Sequence, residues 1–210
     1  MESLHSRGFT LIELLVVFAI ITVIMAVVFT SQSTFNQTLT LKNTAYDVAL
    51  TFRVAETYGL GSRSIGGVAA NVGYGIHLSN ATPGSFILFG DTTGGPACTP
   101  GMLDCNPGDY VYESGSDSLV RTYTLGNGVT ISKFCANNGS VWYCSGDSSG
   151  LTSLDISFAR PNPDTFVRAN GIPSVTYVSA CLALSSPQGG LRYVAVAPSG
   201  EIGAIATSCP

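Results

Sequence analysis

From Phe9 to Leu41 a single side chain is charged, the carboxylate of Glu13. The 21 residues from Phe9 to Phe29 around it are otherwise apolar except for two threonines. About 20 such residues cross a bilayer as a helix. A carboxylate inside a span costs about 3 kcal/mol even on lenient insertion scales, and such groups are retained where they have a partner or a task. The first question is therefore what Glu13 meets.

The run is too long for the apolar core of an ordinary secretory signal, and no A-x-A cleavage pattern follows it. The first cysteine is Cys98, so a lipid-modified cysteine is not expected at this end. The polar leader, residues 1–8, sets Arg7 and the chain amine against Glu2. That small positive excess predicts a cytoplasmic N-terminus, with everything after the span on the other side. The expected location is the inner (cytoplasmic) membrane, crossed once. A cut between Gly8 and Phe9 would give Glu13 its partner. It frees an amine on Phe9, one helical turn from the carboxylate and on the same face. Glu13 would then lie in the first helical turn, where the macrodipole favours negative charge. In an assembly the same carboxylate reaches the Phe9 amine of a neighbour and sets the register between helices.

Gly8-Phe9-Thr10-Leu11-Ile12-Glu13-Leu14-Leu15-Val16 resembles the N-terminal signal of type IV prepilins and type II secretion pseudopilins. The resemblance implies cleavage after Gly8 by a prepilin peptidase, N-methylation of Phe9 and polymerisation through Glu13. It also implies other pilin or pseudopilin subunits, an inner-membrane assembly platform and membrane lipid as partners. A separate cytoplasmic ATPase would drive assembly, and no cofactor is implied. The expected fold is α+β and pilin-like, a long N-terminal helix packed on a β-rich head. Its parts would be a leader (1–8), a transmembrane helix half (9–30), an amphipathic helix half (31–58) and a disulfide-bonded extracytoplasmic head (59–210). A plain signal-anchor helix is the competing reading. Many major pilins carry a helix-kinking proline where this chain has Thr30.

Within that group the chain is similar to minor subunits of the H type in type II secretion and to their pilus relatives. The similarity rests on Val48-Ala49-Leu50-Thr51-Phe52-Arg53-Val54-Ala55-Glu56, Arg63-Ser64, Tyr74-Gly75-Ile76-His77-Leu78 and the ending Tyr193-Val194-Ala195-Val196-Ala197-Pro198-Ser199-Gly200.

No glycine falls between Gly8 and Gly59 and no proline before Pro83, so the helix is expected to run to about Tyr58 and end at Gly59-Leu60-Gly61. In its outer half Ala45, Val48, Ala49, Phe52 and Ala55 recur at helical spacing and predict one face packed on a sheet. Strand-like runs follow at Tyr74–Leu78, Phe86–Phe89, Tyr110–Glu113, Arg121–Leu125, Val129–Phe134 and Val141–Cys144. Later runs are Leu154–Phe158, Ser174–Leu184, Leu191–Ala197 and Ile202–Ala206, the last two joined by the turn Pro198-Ser199-Gly200.

Six cysteines, an even number, read as disulfides outside the cytosol. Sequential pairing is expected, because each neighbouring couple brackets a turn or hairpin: Cys98–Cys105, Cys135–Cys144 and Cys181–Cys209. No C-x-x-C occurs, which counts against zinc. Charged residues make up 10% of the chain, the net charge is −4, and the basic residues are scattered. Nucleic-acid binding through phosphate contacts is therefore not expected. A minor pilin that captures DNA or an adhesion target is the alternative function; it would require a local arginine patch or a display loop.

Several motifs read more simply as structure. Gly146-Asp147-Ser148-Ser149-Gly150 fits the G-x-S-x-G nucleophile pattern, but a strand-like run follows it and both histidines lie upstream, so a turn is expected and no enzyme. Asp104, Asn106 and Asp109 offer oxygens to calcium without the EF-hand spacing. Gly59, Gly61, Gly66 and Gly67 lack the lysine of a phosphate loop. His77 is expected half-buried or at the surface of a strand, and Trp142 beside Tyr143 is expected to fill the core.

Overall fold

The computed structural model describes residues 9–61, 63–65, 72–92, 108–148, 150–160, 164–205 and 208–209; the side chains of residues 30–35, 173, 174 and 205 are outside that description. Helix α1 is unbroken from Leu11 to Leu60, as the absence of internal proline allows. Packing divides the chain between Leu39 and Thr40, within this helix. In the first unit, Leu11–Phe29 is long and apolar enough to cross a membrane. Every large apolar side chain in it is exposed.

In the second unit the helix carries its apolar residues on one face. Leu41, Ala45, Val48, Phe52 and Ala55 are buried, and Phe52 and Ala55 have no exposed surface. The small alanines let the sheet approach the helix backbone. Gly59 takes this furthest: a Cβ added there would overlap the carbonyl oxygen of Phe158. The helix therefore continues through Gly59 and Leu60, two residues past the expected end, and Gly59 serves close packing where termination was expected. Gly61 N–H then donates to the Thr57 carbonyl at 2.9 Å and closes the last turn.

Eleven strands follow among the described residues: β1 (Gly73–Ser79), β2 (Ser85–Asp91), β3 (Ser118–Thr124), β4 (Thr130–Asn137), β5 (Trp142–Cys144), β6 (Ser153–Phe158), β7 (Thr165–Ala169), β8 (Ile172–Tyr177), β9 (Ser179–Ser185), β10 (Leu191–Val196) and β11 (Ile202–Ile205). They form a six-stranded sheet in the order β3-β2-β1-β6-β7-β8 and a five-stranded sheet in the order β11-β10-β9-β4-β5. All the strand pairs are antiparallel. Period-two alternation sends Tyr74, Ile76 and Leu78 of β1, with Leu154, Ile156 and Phe158 of β6, to the buried face. Phe134, Leu182, Leu184 and Val194 of the second sheet join the helix face in the same core.

The structure departs from the expected strands at three places. Tyr110–Glu113 is an irregular segment, because Tyr110 sits at φ 65°, outside the β region. Its N–H donates to the Asp91 carboxylate at 2.6 Å, and the segment lies against the outer face of the six-stranded sheet. The run Ser174–Leu184 is two strands in two sheets, broken at Val178, whose N–H donates to the Asn137 carbonyl at 2.7 Å. Strand β7, which carries Arg168, was not expected; five residues opening on Thr-Phe give too short an alternation to stand out. The β10–β11 turn is closed at Pro198-Ser199-Gly200, with Gly200 at φ 82° and Ala197 N–H bonded to the Glu201 carbonyl at 2.9 Å.

Cys135 bonds Cys144 and Cys181 bonds Cys209. Cys98 and Cys105 lie outside the described residues. The second bridge joins cysteines 28 residues apart, and closing a loop of that size contributes about 3.5 kcal/mol by loop-closure entropy.

Candidate assembly site

The N-terminus of α1 is held by a reciprocal pair. Thr10 precedes the first helical residue, and its carbonyl accepts the Leu14 N–H at 3.2 Å. The Thr10 hydroxyl accepts the Glu13 N–H at 3.3 Å. In return the Glu13 carboxylate accepts the Thr10 N–H and the Thr10 hydroxyl, each at 3.3 Å. This is a capping box, Thr at the cap and Glu three residues on, and it satisfies backbone donors that a helix start leaves unpaired. All three bonds are longer than the usual 2.9 to 3.0 Å. An ammonium group would hold the same carboxylate more strongly, because both partners are charged.

The cap stands at one end of a continuous apolar surface. Phe9 is 84% exposed, and the exposed series runs on through Leu11, Ile12, Leu14 and their successors to Phe29. Apolar surface of this extent marks contact with lipid or protein. Thr22, the other polar residue of the run, donates its hydroxyl to the Phe18 carbonyl at 2.7 Å and so carries its own partner into an apolar setting. Gly8 lies outside the described residues. The structure thus brings Thr10 and Glu13 together and leaves Phe9 open beside them.

A second polar cluster lies on the outer face of the six-stranded sheet. His77 Nδ1 is 2.7 Å from Asp155 Oδ1, and the two residues are direct partners across β1 and β6. Asp155 is fully buried, His77 is 18% exposed, and the Tyr112 ring packs over the imidazole. Burial pushes the Asp155 carboxyl up from its ordinary pKa, and the His77 hydrogen bond opposes that shift. His77 therefore has a partner that sequence alone did not reveal, 78 residues away. Its visible work is to compensate a buried carboxylate beneath an aromatic cover. We expect His77→Phe to destabilise the head by about 3 kcal/mol, since it strips a buried charge of its partner. The sign of the pH effect follows from the raised Asp155 pKa. The native state accepts the proton first, so the variant's deficit is full above that pKa and shrinks as pH falls through it. Urea unfolding of both proteins at several pH values checks this, and His77→Phe with Asp155→Leu should recover part of the loss.

The remaining motifs are placed plainly. Residues 146–148 form a turn, Gly150 N–H reaches the Asp147 carbonyl at 3.3 Å, and Asp147 pairs with Lys133 at 3.2 Å. Ser149 lies outside the described residues, as do Asp104, Asn106, Gly66 and Gly67. Asp109 accepts the Val111 N–H at 3.0 Å. Among the described residues no group of three or more His, Cys, Asp or Glu is arranged to hold a metal. Trp142 and Tyr143 are half-buried at the edge strand β5; Tyr143 packs against the core, whereas Trp142 does not join it as expected. The buried aromatics include Phe52, Tyr74, Phe86, Phe89, Phe134 and Phe158.

Residues 4–29 match the family described as the prokaryotic N-terminal methylation motif. No curated protein and no solved structure matches the chain. That motif lies on a long apolar helix that leads into a β-rich head of two antiparallel sheets, an α+β arrangement consistent with a pilin-like fold, and it supports a place in the type IV pilin and pseudopilin superfamily.

Proposed function

We propose that this protein is a structural subunit of a type IV pilus-like or type II secretion pseudopilus fibre. A prepilin peptidase cuts between Gly8 and Phe9, and the new Phe9 amine is methylated. The head stays on the extracytoplasmic side of the inner membrane, a placement supported by the disulfides, which persist in oxidising compartments. The observation that carries the reading is the Thr10–Glu13 cap at the tip of an exposed apolar helix.

Before assembly Glu13 caps its own helix through long hydrogen bonds. Cleavage places a positive amine on Phe9, directly before Thr10. Within a fibre the carboxylate exchanges its weak internal bonds for the Phe9 amine of a neighbouring subunit, which sets the axial register. The surface from Leu11 to Phe29 supplies the packing area, first against lipid and then against other helices. An inner-membrane platform and a separate ATPase supply the site and the work of extrusion. The head then governs incorporation position, a minor subunit of the H type being the finer assignment.

The experiment is to shear fibres from cells producing the native protein and to probe fibre and membrane fractions for its head. The mature chain is expected in both. Its complete absence from fibres under conditions where other subunits assemble would contradict a fibre role.

A further inference from the structure

The two disulfides of the five-stranded sheet are neighbours. Cys144 of β5, Cys135 of β4 and Cys181 of β9 form one row, since Cys135 is the direct cross-strand partner of both others. Direct partners in an antiparallel pair project to the same face. Here that is the outer face, because Phe134, Ala136, Ala180 and Leu182 on either side belong to the core. Phe134 bonds sideways to Ser145, its carbonyl accepting the Ser145 N–H at 2.8 Å, so the main chain of Cys135 faces β9. Such hydrogen-bonded pairs have Cα atoms about 5.5 Å apart, a span that a disulfide accommodates. Cys209 reaches the same face from the chain end. A cleft of about 180 Å³ is lined by Cys135, Cys144 and Cys209 together with Lys133, Ala183 and Tyr193. Lys133 lines that cleft with its ammonium group paired to Asp147 at 3.2 Å.

We propose that the two disulfides are an exchange couple, able to shift from Cys135–Cys144 and Cys181–Cys209 to Cys135–Cys181 and Cys144–Cys209. An external thiolate, from a small thiol or a dithiol oxidoreductase, attacks Cys209 Sγ; the Cys181–Cys209 bond breaks and Cys181 leaves as a thiolate. Cys181 attacks Cys135 Sγ across the strand pair and expels Cys144 as a thiolate. Cys144 attacks Cys209 Sγ of the mixed disulfide, forms Cys144–Cys209 and returns the external thiolate. Two disulfides exist before and after, with no net oxidation or reduction. The shift moves the tether of the edge strand β5 from β4 to the chain end, which gives the head two covalent isomers. The proposal stands apart from the fibre reading and does not depend on it.

The full-length protein in detergent, without denaturant, is incubated with a glutathione redox buffer for minutes to hours, the range of uncatalysed rearrangement. It is then alkylated and cut after Lys133, Arg168 and Arg192, the Arg160–Pro161 bond resisting trypsin. Initially peptide 134–168 is internally bonded and 169–192 is joined to 193–210. Exchange joins 134–168 to 169–192, with a matching loss of the initial forms. Unchanged peptides, or 169–192 released without becoming joined to 134–168, overturn the proposal. Cys209→Ser isolates the second step: Cys181 becomes protected from alkylation and Cys144 becomes open to it. Stoichiometric alkylation of Cys181 with Cys135–Cys144 intact contradicts it. If that variant does not fold, the wild-type experiment decides alone.

Discussion

Gly8→Lys is expected to leave the chain uncut, with its leader attached, in the membrane and absent from fibres. Fit and charge both oppose cleavage. The residue before the cut is glycine, which presents no side chain to a peptidase working at the membrane face. Lysine introduces a bulky, strongly hydrated cation at the bond to be broken. The uncut chain also lacks an amine at Phe9, so the Phe9 nitrogen is a neutral amide with no charge to offer Glu13. Insertion should be spared, because the apolar stretch is unchanged and an added cytoplasmic cation agrees with the expected orientation. Immunoblotting of membranes should show one band of precursor size, and the sheared fraction should be empty. A band of mature size would contradict the cleavage site.

Glu13→Ala should insert and be processed yet lose incorporation into fibres by roughly a hundredfold. Two roles of Glu13 are in play, and their magnitudes differ. Loss of a helix cap costs about 1 kcal/mol. Stripping a low-dielectric amine of its carboxylate costs about 3 kcal/mol or more, and every 1.4 kcal/mol is about tenfold in an equilibrium. Glu13→Gln separates the two, because glutamine also serves at the third position of a capping box but carries no charge. It should assemble nearly as poorly as Glu13→Ala. If Glu13→Gln enters fibres like the wild type, the cap alone explains the residue and the intersubunit pair is wrong. Fibre content relative to membrane content, measured for the three proteins side by side, gives the ratio.

The helix and most strands were legible because they obey simple periods. Ala45, Val48, Ala49, Phe52 and Ala55 announce a helix face, and all are buried. The alternation Tyr74, Ile76, Leu78 announces β1 in the same way. What escaped depends on contacts distant in sequence. Tyr110–Glu113 reads as a strand until Asp91 draws the Tyr110 N–H toward it and fixes a backbone angle no strand permits. Ser174–Leu184 reads as one strand because nothing within it marks the turn at Val178, which is set by Asn137. The partnership of His77 with Asp155 has no local trace, since only the pairing of β1 with β6 brings the two together.

The assembly site divides in the same manner. Glu13 stands out as a lone charge in an apolar run, and the bond before Phe9 stands out as the cut that would give it a partner. The part played by Thr10 is a capping-box spacing, Thr-x-x-Glu, which is legible in the sequence but embedded in the apolar run. Gly59 departs from expectation for the opposite reason. Its usual role as a terminator is strong, while the Phe158 carbonyl that requires it lies on another element.

The central claim is that the functional chain begins at Phe9 and carries a modified amine there. Intact-mass measurement of the native protein, recovered from membranes and from fibres, tests it directly. The account predicts the mass of residues 9–210, less the hydrogens of its disulfides and greater by one methyl group, with the methyl located on Phe9 by fragmentation. A fibre-borne chain still beginning at Met1, or one cut anywhere other than between Gly8 and Phe9, would contradict it.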